Sequence, residues 1–294
     1  MSLFGNIKDV IKAVVASCVY ELYNSGIVKS KNLKVMSIDD TIRLMQSTNK
    51  SLVRFGDGEV TILRGTDIAF QESDSALSTE MAEILGYHYD DLVVCIVDMF
   101  NDIDQYVPKT KKYWKEHLLI YRKYYNKYCN PNRIYGNSFF SRCYMNIKDK
   151  ERCDERFKEI KKIWAGKEVV VVEGCGTHNG VGNDLLDACK NIDRIICPST
   201  NAYDRKKEIL DECYKMDKSK LFLVSLGPAA KTIVNELFQH GYRAIDIGQL
   251  DMEYEWFLRG AVKKEKLIKH SIITKSDNQK MGYSEYLAQI VAWI

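Results

Sequence analysis

Lys167-Glu168-Val169-Val170-Val171-Val172-Glu173-Gly174-Cys175-Gly176 runs four β-branched residues straight into an acidic, glycine-bearing loop. A run that short and that uniformly apolar reads as a strand covered on both faces, and such strands belong to parallel sheets. Working downstream, apolar runs recur at 194–197, 221–225 and 244–247, and the stretches 183–190, 204–215 and 229–240 between them carry helical patterns. Upstream, 51–55 and 92–97 are further buried-strand candidates. Alternating strand and helix predicts an α/β chain: a mostly parallel sheet with helices on both faces.

Sheets of this kind place ligands at the carboxyl ends of their strands, so the loops there are where chemistry is sought. They read Gly56-Asp57-Gly58-Glu59, Glu173-Gly174-Cys175-Gly176, Pro198-Ser199-Thr200-Asn201, Gly227-Pro228 and Gly248-Gln249-Leu250-Asp251. In the first, two carboxylates sit two residues apart between glycines that permit a tight turn, as a hard divalent ion (Mn²⁺ or Mg²⁺) requires of Asp57 and Glu59. Gly180-Val181-Gly182-Asn183-Asp184 and Gly227-Pro228-Ala229-Ala230-Lys231 each open a helix, whose free N–H groups suit phosphate. After the last run, Asp251, Glu253 and Glu255 crowd with Tyr254 and Trp256. At helical spacing 251 and 255 share a face and 253 does not.

Composition bounds the alternatives. The chain has 294 residues, 46% hydrophobic and 28% charged, with four prolines, which predicts order almost throughout. Its net charge of +3 is unevenly spread: 109–167 holds 17 Lys or Arg against 6 Asp or Glu, with seven tyrosines. RNA stacking on that basic, aromatic segment is one reading, but Tyr121, Tyr124, Tyr125 and Tyr128 fall at the spacing of a packed helix face, and no nucleic-acid partner is expected. A methyltransferase cofactor loop begins as Val172-Glu173-Gly174 does. Here its third glycine falls on His178, and the next strand ends in Cys197-Pro198-Ser199 without the acid that holds a ribose. Nine cysteines without a C-x-x-C pair predict free thiols in a reducing compartment. No stretch approaches a membrane span or a signal peptide, and the amphipathic segment 7–23 reads as a helix docked on the protein's own core, with a membrane-surface helix as the other reading.

Taken in order, RFGDGE, VVEG, GVGNDL, PSTNAYD, SLGPAAK and DIGQLDMEYEW resemble the GT-D glycosyltransferases, a family formerly catalogued as a domain of unknown function and including a glucosyltransferase of bacterial serine-rich adhesins. The resemblance implies a Rossmann-like sheet, a D-x-E metal motif at Asp57 and Glu59, and a UDP-sugar donor, UDP-glucose first. Gln249 stands where a histidine is expected before the final motif. An oxocarbenium-like transition state leaves charge on the departing diphosphate, which a metal neutralises, with Arg54, Arg142 and Lys231 as assisting cations. Glu173, Gly180, Asn183, Asp184, Ser199, Asn201 and Gly227 complete the expected donor site. Asp251, then Glu253, is the expected general base. The acceptor implied is a glycan, glycoprotein or lipid-linked sugar in bacterial surface glycoprotein or polysaccharide synthesis, met in the cytoplasm or at the inner face of the membrane. The expected layout is a helical segment 1–50, a catalytic domain 51–260 with a basic helical insertion 106–165, and a C-terminal extension 261–294 packing on the core.

Overall fold

The computed structural model describes residues 3–87, 89–272, 274–281 and 283–294. Among them nine strands form one sheet: β1 (Lys34–Val35), β2 (Ser51–Arg54), β3 (Leu92–Ile96), β4 (Ile134–Asn137), β5 (Glu168–Gly174), β6 (Asn191–Cys197), β7 (Leu221–Ser225), β8 (Arg243–Asp246) and β9 (Ile290–Trp293). Their spatial order is β1-β4-β3-β2-β8-β7-β5-β6-β9 and each pairing is parallel. The run that decides the fold lies inside this sheet. Val169 to Val172 are wholly buried, with β6 on one side and β7 on the other, Val169 opposite both Ile192 and Leu221.

Parallel crossovers are right-handed, so connections stepping toward β1 and those stepping toward β9 pass on opposite faces. The first group contains Ser75–Gly86, Pro108–Tyr128, Lys206–Cys213 and Ala229–Gln239, which pack in succession on one another; the second contains Ile38–Ser47 and Cys153–Lys162, which also meet. Two helical layers therefore cover the sheet.

Three strands escape the periodicity reading, each for a local reason. β1 has two residues, β4 carries Gly136 and Asn137, and β9 alternates half-buried with exposed positions at the sheet edge. β4 also changes the view of 106–165: the stretch has its helices, but between them it supplies a strand to the main sheet. Gly136 is required there, since a Cβ would lie 2.5 Å from Cys95 Sγ. The segment after 260 likewise adds β9 to β6.

The helix expected over 183–190 is absent; the chain from Val181 to Lys190 runs through turns. Just ahead of residue 183, Gly180 and Gly182 both adopt φ of +76°, and the Asn183 side chain accepts Leu185 N–H at 3.1 Å while its Nδ2–H donates to Asp251 and Glu255, which holds the segment as a turn. Trp164 secures the turn by donating its indole N–H to Leu185 O at 2.9 Å. The helix expected over 204–215 is split into a 3₁₀ turn, Ala202–Arg205, and an α-helix, Lys206–Cys213. Tyr125 is buried, and Tyr121, Tyr124 and Tyr128 pack against the core. All nine cysteines are unpaired thiols.

Candidate active site

The loops at the carboxyl edge enclose a cleft of about 790 Å³. Its walls come from the turns after β2, β5, β6, β7 and β8, together with Ile68, Phe70, Arg142, Lys264 and His270.

Asp57 and Glu59 stand in this cleft but perform different tasks. They occupy the first turn of the helix Asp57–Leu63, whose N-cap is Gly56. Asp57 faces the opening, where its Oδ2 accepts the Tyr113 hydroxyl hydrogen. Glu59 folds back instead: Oε2 accepts the Gly56 N–H at 2.7 Å, and Oε1 lies 2.6 Å from Lys231 Nζ. Burial alone would raise the Glu59 carboxyl, but the Lys231 charge and the Gly56 hydrogen bond outweigh it and hold it below the usual carboxylate range.

Beneath them lies a closed network of charge. Lys231 Nζ contacts Glu59, Asp246 Oδ2 at 3.1 Å and Gly227 O at 2.9 Å, which accounts for its three donors. Arg54 lies 3.7 Å from Asp246 Oδ1 and donates Nε–H to Ser138 O at 3.0 Å. Gly248 at φ +50° lets Arg54 pass: a Cβ there would fall 1.8 Å from its Nη1. Lys231 is thus neutralised by two carboxylates and has no donor left for a phosphate.

The acids after β8 part as helical spacing requires, and all are buried rather than exposed. Asp251 and Glu255 share one face and both take Lys269 Nζ, at 2.7 and 3.0 Å, and Asn183 Nδ2–H, at 2.9 and 2.7 Å. Asp251 also accepts Gly180 N–H at 2.9 Å and lies 3.4 Å from His270. Burial would raise its carboxyl; His270, Lys269 and Asn183 together bring it below the ordinary range. A carboxylate so held is a weak proton acceptor, although it does border the cleft. Glu253 turns away, accepting Tyr144 and Met145 N–H at 3.2 and 2.8 Å, and does not line the cleft.

Of the other expected donor residues, Ser199 and Gly227 line the cleft. Glu173 is buried in a pair with Arg194 at 2.6 Å and accepts from Asn179. Asp184 takes Lys161 and Tyr254, and Asn201, at φ +49°, ties the 70–72 loop through Phe70 O and Glu72 N–H. Gly180 and Asn183 support Asp251 from behind. Glu173, Gly180, Asn183, Asp184 and Asn201 therefore support the walls of the cleft from behind and do not line it.

Sequence reasoning missed Phe70, Lys264, Lys269 and His270. Phe70 is 43% exposed yet fixed, its carbonyl bonded by Asn201 N–H at 2.9 Å and its ring lying where a Gly227 Cβ would fall, 2.7 Å from Cε2. Exposed aromatics carry no periodic signal; Lys264 and His270 lie beyond the last motif. Arg142 was anticipated. Its Nε is buried without a hydrogen bond, and neither it nor Lys264 joins an ion pair among the described residues.

A divalent ion fits this cleft through Asp57 alone. Among the described residues no cluster of three or more His, Cys, Asp or Glu could hold one, and both oxygens of Glu59 are engaged. One carboxylate completed by phosphate oxygens and water is an ordinary way for Mg²⁺ to bind at phosphate sites.

A family model described as the glycosyltransferase GT-D fold matches residues 52–275. The chain is 37% identical over 268 residues to a probable glycosyl transferase Gly of Streptococcus gordonii, covering 90% of this chain and 39% of that protein. It is 38% identical over 266 residues to glycosyltransferase GlyD of Streptococcus pneumoniae serotype 4, covering 89% and 33%. The chain therefore spans only about a third to two fifths of these relatives. A solved structure described as a distinct glycosyltransferase fold of the domain of unknown function 1792 superposes with a TM-score of 0.83 at 38% identity, over 90% of this chain and 96% of that one. A new glycosyltransferase (DUF1792) from Streptococcus sanguinis gives 0.83 at 37%, over 90% and 100%. With the family model matched over residues 52–275 and the fold shared over 90% of its length at 38% identity, the chain belongs to the GT-D family of glycosyltransferases.

Proposed function

We propose that the protein transfers a sugar, glucose first, from a UDP-sugar to a glycan, glycoprotein or lipid-linked acceptor in bacterial surface glycoprotein or polysaccharide synthesis, in the cytoplasm, with Mn²⁺ or Mg²⁺. One observation carries this reading: Arg142 and Lys264, two cations without carboxylate partners, face the same cleft as the outward carboxylate of Asp57. Two uncompensated cations suit a diphosphate, and Asp57 would hold the ion, which when bound supplies positive charge against the departing diphosphate. Phe70 and Ile68 give the cleft an apolar wall for a flat base or sugar face. Glu59, Lys231 and Asp246 hold the Gly56–Asp57 turn against the end of β8 so that Asp57 stays aimed outward. The test is a panel of UDP-sugars in Mn²⁺, following free UDP. UDP-glucose should give the fastest release, and EDTA should abolish it; no release from any UDP-sugar overturns the reading.

A further inference from the structure

The helix Leu3–Asn24 shows two unlike faces. Its inner face is firmly docked: Ala16 and Tyr20 are buried, and Tyr20 donates its hydroxyl to Met99 O at 3.1 Å. Lys115 reaches Ser17 Oγ and Glu21 at 3.0 Å, and Arg122 stacks 4.1 Å over Tyr23. The outer face is apolar and open. Ile7, Val10, Ile11, Val14, Val15 and Leu22 are each 40–60% exposed. At 100° per residue they fall within about 140° of the helix circumference, so they form one continuous stripe. Beyond the helix, Ile27 and Val28 extend the exposed apolar surface. A monomer seldom leaves such a stripe on a helix that its other face holds rigidly.

The surrounding charge says what covers it. Lys8 and Lys12 border the stripe and Lys29 follows Val28. The helix packed alongside, Pro108–Tyr128, carries seven Lys or Arg against one Glu; Arg122 is buried and Lys111, Lys112 and Lys115 pair with Asp104, Glu116 and Glu21, while Lys109, Lys123 and Lys127 are exposed outside any ion pair among the described residues. An apolar ridge flanked by lysines is the pattern of a helix lying in the interface of an anionic bilayer. No helix among the described residues is long and apolar enough to cross a membrane, so the contact is with the surface. The helix lies ahead of residue 52, where the match to the family model begins.

We infer that the outer face of Leu3–Asn24, with the neighbouring basic helix, docks the enzyme on an anionic lipid surface. This inference does not depend on the donor. The full chain is sedimented with phosphatidylcholine vesicles with and without phosphatidylglycerol. It should pellet with the anionic vesicles, more weakly with the neutral ones, and less as salt rises. Val10→Asp with Val14→Asp should cut binding on the order of tenfold or more while the melting transition and UDP release stay unchanged, because both positions are exposed and remote from the cleft. Lys8→Glu with Lys29→Glu, which leaves the stripe intact, should remove the preference for anionic lipid. Wild-type protein staying in the supernatant overturns the inference, as does undiminished binding by the Val10/Val14 variant. A dimer by light scattering that Val14→Asp splits, without vesicle affinity, assigns the stripe to a second copy instead.

Discussion

Asp57 and Glu59 show how two identical charges two residues apart acquire different roles. Asp57 borders the cleft with a tyrosine hydroxyl as its side-chain partner, whereas Glu59 is held by a buried ammonium. Asp57→Asn should therefore leave the fold intact and lower UDP release by at least about 10²-fold in Mn²⁺, read by steady-state kinetics alongside an unchanged melting curve. Glu59→Gln leaves Lys231 with one carboxylate in a buried place, and breaking such a pair costs about 3–5 kcal/mol. It should show first as a lower denaturant midpoint. The same logic applies to Asp251. If it were a free general base, Asp251→Asn would reduce transfer and spare stability; held by Lys269, Asn183 and Gly180 N–H, it should lose stability by several kcal/mol in a urea titration. A stable variant with slow transfer would return it to the role of base.

Among the elements, the turns after β7 and β8 do most to shape the cleft. Gly227 and Gly248 take φ of +54° and +50°, and each gives space to one side chain from elsewhere, Phe70 and Arg54. Alanine at either position adds left-handed strain of about 1–2 kcal/mol and displaces that neighbour. Gly227→Ala should raise the KM for the donor by moving Phe70, with kcat changed less. Gly248→Ala should disturb Arg54 and Asp246, and with them the Lys231 network, so kcat should fall. The turn over 183–190, where helical composition suggested a helix, belongs to the same scale. The ties of Asn183 to Leu185 N–H, Asp251 and Glu255 hold a turn there against the helical propensity of Leu185, Leu186 and Ala188.

At the scale of the whole molecule, pH acts on the buried groups together. His117 lies against Tyr121 with ring centroids 4.5 Å apart, and its Nε2 is 3.2 Å from the Tyr125 hydroxyl. Burial lowers it to about 4, against the pull of Asp57. The unfolded chain takes up that proton near pH 6.5 and the native one does not, so this contribution is full above pH 6.5 and fades by about 3 kcal/mol as pH falls to 4. Glu59 and Asp251, lowered in the native state, lose theirs at still lower pH, below the unfolded carboxylate range near 4. Melting temperature should decline in two stages on acidification, and His117→Phe should flatten the first. The sequence by itself determined the strands 51–55, 92–97, 169–172 and 221–225 to within a few residues, the parallel sheet and the edge on which its loops gather, because periodicity and turn chemistry are local. It also separated Asp251 and Glu255 from Glu253 by helical geometry alone. Only the tertiary structure decided which polar residues are spent on one another. Glu59 meets Lys231, and Asp251 meets Asn183, across long stretches of chain, and a buried charge takes whichever partner the fold delivers. That is why Lys231 proved to be neutralised while Arg142 and Lys264, alike to it on paper, remain open to the cleft: Coulomb energy depends on distance in space, which spacing along the chain does not encode.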